Sequence, residues 1–376
     1  MSHLPVLIVF LGGMRGSPIE DELGRALAES ALDLLEDALP TGAFAGALLV
    51  ADSNALAARL PHGVELDLDR GTFHFGRRLA QIIRKRRIER PFYAGAGGVP
   101  LMRGSDLAAI ARRLRESEGA IISNNYFSAD LVAFAPGNAI ACIDLPDADN
   151  FLPRLLHDQA GLVSEPLPRS SATQFNIDSP ADLAMLKLSG GAGPRLSAYL
   201  SSFEARTKPY ERLMTHLVDP QAEVLVAGRI GSAAWSYLER ETACRVRLFS
   251  EERGMQAAGR DGPGQARSML AFHLRDVGMT KFFQHLSELG DVACIDTRPL
   301  LSHLGIEASR ADRFNSDLGC PEQIEDPYLR EFTQAAIEAP LPVILGGHSL
   351  VSGGLMLLTE AAWRAEDKRI AERGGA

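Results

Sequence analysis

The sequence predicts an α/β fold: a mostly parallel sheet with helices on both faces, followed by a second α/β domain. Three observations predict it. Short apolar runs alternate with amphipathic segments along the first half of the chain. The density of chain breakers peaks near the middle, in Ser189-Gly190-Gly191-Ala192-Gly193-Pro194. Beyond that point the same alternation restarts. A length of 376 residues suits two domains, and a chain 46% hydrophobic and 23% charged is ordinary for a globular protein.

The elements follow in order. Residues 6–11 are a continuous apolar run, too short to cross a bilayer, and read as a buried strand. Residues 19–38 place Leu23, Leu27, Ala31, Leu34 and Leu35 on one helical side. Strands are expected at 46–50, 64–68, 91–94, 119–123 and 131–135. Helices are expected at 54–60, 76–86, 104–116 and near 151–157. The 76–86 helix ends in a basic cluster. Residues 176–178 read as a short closing strand. Ser179 then suits an N-cap and Pro180 the first helical position. In the second half, strands are expected at 224–227, 246–249, 292–296 and 342–345. Helices are expected at 196–208, 232–241, 268–289, 328–339 and 350–364. The domains are therefore expected at 1–190 and 210–376.

Composition excludes some function classes. A formal charge of −9 argues against a general nucleic-acid binder. Basic residues are almost all Arg. Cys142, Cys244, Cys294 and Cys320 are far apart, with no C-x-x-C, so neither a zinc site nor a disulfide framework is expected. With no secretory signal pattern at the N-terminus, a reducing cytoplasm and no membrane partner are expected.

Several loops carry chemistry. Leu11-Gly12-Gly13-Met14-Arg15-Gly16-Ser17 follows the first strand. Its small residues let backbone N–H groups approach a phosphate, and Arg15 would neutralise it. On the loop alone, a plain strand-to-helix turn is the preferred reading. Tyr93-Ala94-Gly95-Ala96-Gly97-Gly98-Val99-Pro100-Leu101 links a strand to a helix. Its glycines imply a tight turn or a close backbone approach that admits a ligand. Phe73, His74 and Arg77 stand at a helix start, able to meet a base or a phosphate, or to form an aromatic patch. Asn124 follows a strand and, once buried, either binds something or pins a loop. Asp178 lies where open α/β sheets bind ligands.

In the second half, Gly228-Arg229-Ile230-Gly231-Ser232 links strand to helix and suits a bound phosphate or carboxylate, with Arg253 and Arg298 as neighbours in one crevice. Singly, each Arg could equally pair with a nearby carboxylate. Gly346-Gly347-His348-Ser349-Leu350-Val351-Ser352-Gly353-Gly354 looks like a hydrolase nucleophile elbow. Val351 stands where that elbow needs a small residue, and no His follows Ser349. A Gly-rich ligand-binding turn with His348 and Ser349 as contributors is the better reading.

Over residues 4–188 these landmarks resemble the small nucleotidyltransferases with a GT-A-like fold, of the molybdenum-cofactor and phospholactate guanylyltransferase type. Asn176-Ile177-Asp178-Ser179-Pro180-Ala181-Asp182-Leu183 is similar to the family's closing D-I-D-T-P-E-D-L segment. The resemblance implies a GT-A-like, Rossmann-like first domain. It implies transfer of a nucleotidyl group from an NTP to a small phosphorylated or carboxylated acceptor. It also implies Mg²⁺ or Mn²⁺ held in part by Asp178, and phosphates cradled by Gly12, Gly13, Arg15 and Gly16. The chain departs from the pattern twice. Gly98 stands where the family's G-D-x-P-L turn carries its principal metal-binding Asp, leaving Asp106 as a stand-in. No Lys follows the first loop, since the first half holds only Lys85 and Lys187. Two alternatives stay open: a catalytically degenerate nucleotide-binding or regulatory protein, and chemistry housed in the C-terminal domain.

Overall fold

The computed structural model describes residues 4–12, 15–204, 206–256 and 258–374. It falls into two compact units. The first comprises Met1–Arg15, Gly24–Asn176 and Ala192–Tyr199; the second comprises Gly16–Leu23, Ile177–Gly191 and Leu200–Ala376.

The α/β class and the mostly parallel sheet expected from the sequence are present. The first unit has seven strands: β1 (Val6–Leu11), β2 (Gly46–Ala51), β3 (Val64–Leu68), β4 (Pro91–Gly95), β5 (Ala120–Ser123), β6 (Leu131–Ala135) and β7 (Val163–Pro166). Their order is β3-β2-β1-β4-β6-β5-β7, and only β6 runs against the others. Side-chain alternation sorts the buried strand residues onto two faces. Ile8, Phe10, Tyr93, Val132 and Phe134 pack with Leu79, Ile82 and Ile83 of the Phe75–Arg86 helix and with Leu152 and Leu156. Leu7, Val9 and Phe92, equally buried, point the other way, and Phe44 meets Phe92 edge-on at 5.2 Å. That face also carries the Gly104–Glu116 helix. A Cβ on Gly104 would lie 2.2 Å from the Asp37 carbonyl of the preceding Pro18–Ala38 helix. Glycine there permits the close crossing.

The second unit holds four parallel strands: β8 (Glu223–Gly228), β9 (Arg245–Ser250), β10 (Val292–Asp296) and β11 (Val343–Gly346). Their order is β11-β10-β8-β9. Leu225, Ala227, Ala293 and Ile295 form its core with Phe282, Phe283 and Phe332. The chain leaves β8 toward β9 and then returns to the other side of β8 as β10. The switch point of this sheet is therefore the crevice between the carboxyl ends of β8 and β10.

Several local expectations are corrected or refined. Residues 176–178 pair with no strand, because β7 fills the edge beside β5. β7 carries no sequence signal of its own, being four residues long with none of them buried. The mostly helical stretch expected at 268–289 is present as two helices, Met269–Val277 and Met279–Ser287, that meet at Gly278, whose φ of 79° no helix accommodates. The 196–208 helix stops at Ser202, and a separate helix, Lys208–Leu217, begins with Pro209 in its first turn. Helices Arg298–Leu304 and Arg310–Leu318 were not foreseen. No helix among the described residues is long and apolar enough to cross a membrane.

Candidate functional site

In the first unit the carboxyl ends of β1, β2, β4 and β5 share one edge of the sheet. The antiparallel β6 brings its amino end there as well, so Asp130 sits opposite Gly95. The chain turns sharply after β4. Ala96 donates its N–H to the Phe10 carbonyl at 2.9 Å, Gly95 to Asp130 O at 2.9 Å, and Gly98 to Gly95 O at 3.0 Å.

This turn explains Gly98. A Cβ at position 98 would stand 2.5 Å from the Cβ of Asp130 and 3.0 Å from its carbonyl oxygen. Two carbons need about 3.5–4.0 Å. The space that a side chain at 98 would enter is the origin of the Asp130 side chain. Asp130 was not singled out from the sequence, because it precedes a strand expected only to be apolar. A carboxylate directly before an antiparallel strand is the signal that would have found it.

Around Asp130 the polar groups are organised. Asn124 is 3% exposed. Its amide oxygen accepts the N–H groups of Asp130 and Leu131, both at 3.0 Å. Its amide nitrogen donates to the Thr173 carbonyl at 3.1 Å and to Asp130 Oδ2 at 3.4 Å. All four hydrogen-bonding positions of that side chain are used internally. Of the two readings of Asn124, the geometry supports loop pinning. Asn176 reaches Asp130 Oδ1 at 3.4 Å. Beside them, the Tyr93 hydroxyl donates to Asp149 Oδ2 at 2.6 Å. Burial, Asp149 and then Asp130 push the Tyr93 hydroxyl well above its ordinary range, so it remains a donor. Two carboxylates, Asp130 and Asp149, thus bear on one corner of the sheet.

The first loop leaves β1, which pairs with β4. Gly12 is exposed, with open space where a Cβ would be, whereas Gly13 lies outside the described residues. Arg15 pairs with Asp52, beyond the end of β2, at 2.6 Å, and both side chains are largely exposed. Gly16 has a φ of 131° and belongs to the second unit. Phe73 is 54% exposed and meets Phe10 edge-on at 6.1 Å. His74 caps the Phe75–Arg86 helix by accepting the Arg77 N–H at 3.4 Å. Asp106 is no stand-in ligand: it accepts the Arg103 N–H at 2.9 Å in the first turn of its helix.

In the second unit, Asp178 donates its backbone N–H to Asp182 Oδ2 at 2.8 Å, and Ser179 does so at 2.7 Å. Burial first, then the neighbouring Asp178, push the Asp182 carboxyl up to about 7, although these two N–H groups and the Ser349 hydroxyl oppose the shift. Ser349 is 1% exposed and bonded to Asp182, so it is not the presented nucleophile that a hydrolase elbow requires. Gly354 is glycine because a Cβ would lie 2.8 Å from Met185 Sδ.

The switch-point crevice of this unit is built on Asp296, which is fully buried. Gly228 has a φ of 127°, and a Cβ there would stand 2.3 Å from the Cβ of Asp296. Arg229 grips both Asp296 oxygens, Nε to Oδ2 at 2.5 Å and Nη2 to Oδ1 at 3.1 Å. Arg298 donates its N–H to Asp296 at 3.2 Å and grips Asp317 with both terminal nitrogens. Burial pushes Asp296 up, but Arg229, Arg298 and His348 outweigh it and hold the carboxyl below its ordinary range. Burial and then Arg229 push His348 down to about 4. Its imidazole is therefore neutral at neutral pH. Arg253 is exposed on the turn after β9.

No protein-family model matches the chain, and no curated protein does. Solved structures similar to it include the CMP:2-keto-3-deoxy-manno-octonic acid synthetase complexed with CTP (TM-score 0.36, 14% identity, covering 48% of this chain and 95% of that one). They also include a cytidylyltransferase from Leptospira borgpetersenii (TM-score 0.37, 12% identity, 54% and 88%). A third is the bifunctional IspDF from Campylobacter jejuni (TM-score 0.32, 9% identity, 45% and 51%).

Proposed function

We propose that this protein is a nucleotidyltransferase that binds an NTP at the carboxyl edge of the first sheet and passes its nucleotidyl group to a small phosphorylated or carboxylated acceptor. The observation that carries this reading is the 2.5 Å between the Cβ position of residue 98 and the Cβ of Asp130. The resemblance leaves the family's principal carboxylate missing at Gly98. Asp130 supplies a carboxylate from that same point, by way of β6.

The donors present suit Mg²⁺ or Mn²⁺. Among the described residues no group of three or more Asp, Glu, His or Cys could hold a metal by itself. Mg²⁺ does not need one, since it commonly takes one or two carboxylates together with substrate phosphates. Asp130 and Asp149 are the candidates in the first unit; Asp178, to which the resemblance gives that role, belongs to the second. When bound, such an ion neutralises the triphosphate and stabilises charge on the leaving pyrophosphate.

The chain's own residues do the rest. Arg15 is held by an exposed pair with Asp52, and exposed pairs are worth about 0–1 kcal/mol. A phosphate can therefore draw Arg15 away at little cost. Gly12, with open space around it, lets backbone N–H groups approach that phosphate. The exposed ring of Phe73, steadied by Phe10, offers a stacking face for a base. Tyr93 holds Asp149 in place through its protonated hydroxyl.

Calorimetric titration with GTP, CTP, ATP and UTP, with and without Mn²⁺, tests this reading. One nucleotide should bind in a Mn²⁺-dependent manner, and Asp130→Asn and Asp178→Ala should each weaken it. Binding that ignores both the metal and Asp130 would leave a degenerate nucleotide-binding protein. A second reading, chemistry in the C-terminal unit, is favoured by neutral His348 beside Arg229 at the switch point. It requires a small polyanion such as pyrophosphate to bind Asp130→Asn normally and His348→Ala poorly.

A further inference from the structure

The basic cluster of the Phe75–Arg86 helix has no part in the reading above. The helix and the residue that caps it carry Arg77, Arg78, Arg84, Arg86 and Arg87. Two of them turn toward β3: Arg78 pairs with Asp67 and Asp69, and Arg86 with Glu65 and Asp67. The other three, Arg77, Arg84 and Arg87, line a cleft of about 960 Å³ that Glu89 and Glu118 also line. Glu89 pairs with Arg90, and among the described residues none of the three Arg side chains lies within ion-pair distance of a carboxylate. One helix thus has a neutralised side and a side whose charge is left open.

The cleft's location separates it from the nucleotide edge. Its floor lies where β4 and β5 begin and the antiparallel β6 ends, at Arg90, Gly119 and Ala135. From there it follows the helix up to Arg77. Ten residues of helix span about 15 Å, so the cleft is long. None of Arg15, Gly98, Asp130 or Asp149 lines it. Its walls are mixed: the edges of the core residues Ile83, Ile88, Ile140 and Ile143, with Ala80, Ala141 and Leu145, form the apolar part, and Gln81, Ser117 and Asn138 are polar. Arg84 and Arg87 near the helix C-terminus are also what the helix dipole favours. Arg77 is not, because it stands in the first turn, where a cation is disfavoured.

We infer that this cleft binds a soluble amphiphilic anion, with an apolar chain or ring along the isoleucines and a phosphate, sulfonate or carboxylate on Arg77, Arg84 and Arg87. The volume falls within the range of small-molecule sites, about 300–1,000 Å³. A purely polar anion would waste the apolar part of the walls, and a neutral hydrocarbon would leave the three guanidinium groups unpaired. The inference does not depend on the nucleotidyltransferase reading.

Octyl phosphate is the probe, with octanol and inorganic phosphate as controls, titrated calorimetrically into the full chain without nucleotide or metal. Octyl phosphate should bind saturably, at least about tenfold more tightly than either control. The exposed double substitution Arg77→Gln/Arg84→Gln should weaken it by about tenfold or more. Ala141→Trp, which fills the cleft from an exposed position without changing charge, should weaken it as well. Asp130→Asn should leave it unchanged. Absence of saturable binding up to about 1 mM, equal affinity for octanol, retention in both cleft variants, or loss in Asp130→Asn would each overturn the inference.

Discussion

Replacing Gly98 by Asp looks like the obvious way to supply the residue that the resembled family carries there, and the geometry predicts that it fails. Even alanine at 98 would bring a Cβ to 2.5 Å from the Asp130 Cβ and 3.0 Å from the Asp130 carbonyl oxygen. Normal carbon contact needs about 1 Å more. Neither neighbour is a flexible chain end: the first is fixed to the backbone and the second accepts the Gly95 N–H at 2.9 Å. Overpacking of this kind costs about 1–3 kcal/mol. The relief is specific. Asp130→Gly removes the offending Cβ, whereas Asp130→Ala keeps it. Gly98→Ala should therefore couple to Asp130→Gly by about 1–2 kcal/mol and hardly at all to Asp130→Ala. Scanning calorimetry is the suitable assay, since both tryptophans, Trp235 and Trp363, belong to the second unit and would not report the first. Each kcal/mol should move the transition by about 2–4 °C. In binding, Gly98→Asp/Asp130→Gly moves the carboxylate to the family's position and should recover the metal-dependent nucleotide affinity that Asp130→Asn loses. A Gly98→Ala protein as stable as the parent, or equal rescue by Asp130→Ala and Asp130→Gly, would refute the reasoning.

Three further outcomes are expected. Arg15→Gln should cost at most about 1 kcal/mol of stability, because its pair with Asp52 is exposed, yet lower nucleotide affinity by about tenfold; titration and calorimetry on one preparation separate the two. Asn124→Ala should cost about 2–4 kcal/mol, since it strands the buried N–H of Leu131 and frees the loop before β6, and amide exchange at Leu131 should rise with it. The Asp182 carboxyl sits at about 7 when folded against an ordinary 3.8, so the unfolded chain loses that proton first as pH rises. Its contribution is complete below about pH 4, declines between about 4 and 7, and is flat above, a loss of at most about 4 kcal/mol. The stability difference between parent and Asp182→Asn should follow that curve in urea melts, and a difference that grows with pH would contradict it.

How much was legible depended on whether a feature was local. Strands β1, β3, β6 and β10 and the Gly104–Glu116 helix were legible almost to the residue, because each is a short apolar run or an amphipathic repeat with its own stop signals. The break at Gly278 and the edge strand β7 were not, since one depends on a single backbone angle and the other on a neighbour, β5, that a one-dimensional pattern does not contain. The site divides in the same way. The loop after β1 and the Arg229 and His348 turns announce themselves by glycine density next to a strand. Asp130 does not, because its place comes from an antiparallel insertion: β6 runs the wrong way and so brings its first residues, not its last, to the carboxyl edge of the parallel strands. Read by position alone, Gly98 is a lost carboxylate. Read through the register that pairs Ala94 with Leu131, it is the residue that must be glycine so that Asp130 can stand there. A missing side chain in a motif is thus evidence of lost chemistry only after the space it would fill has been shown to be empty, and here that space is taken by the same functional group.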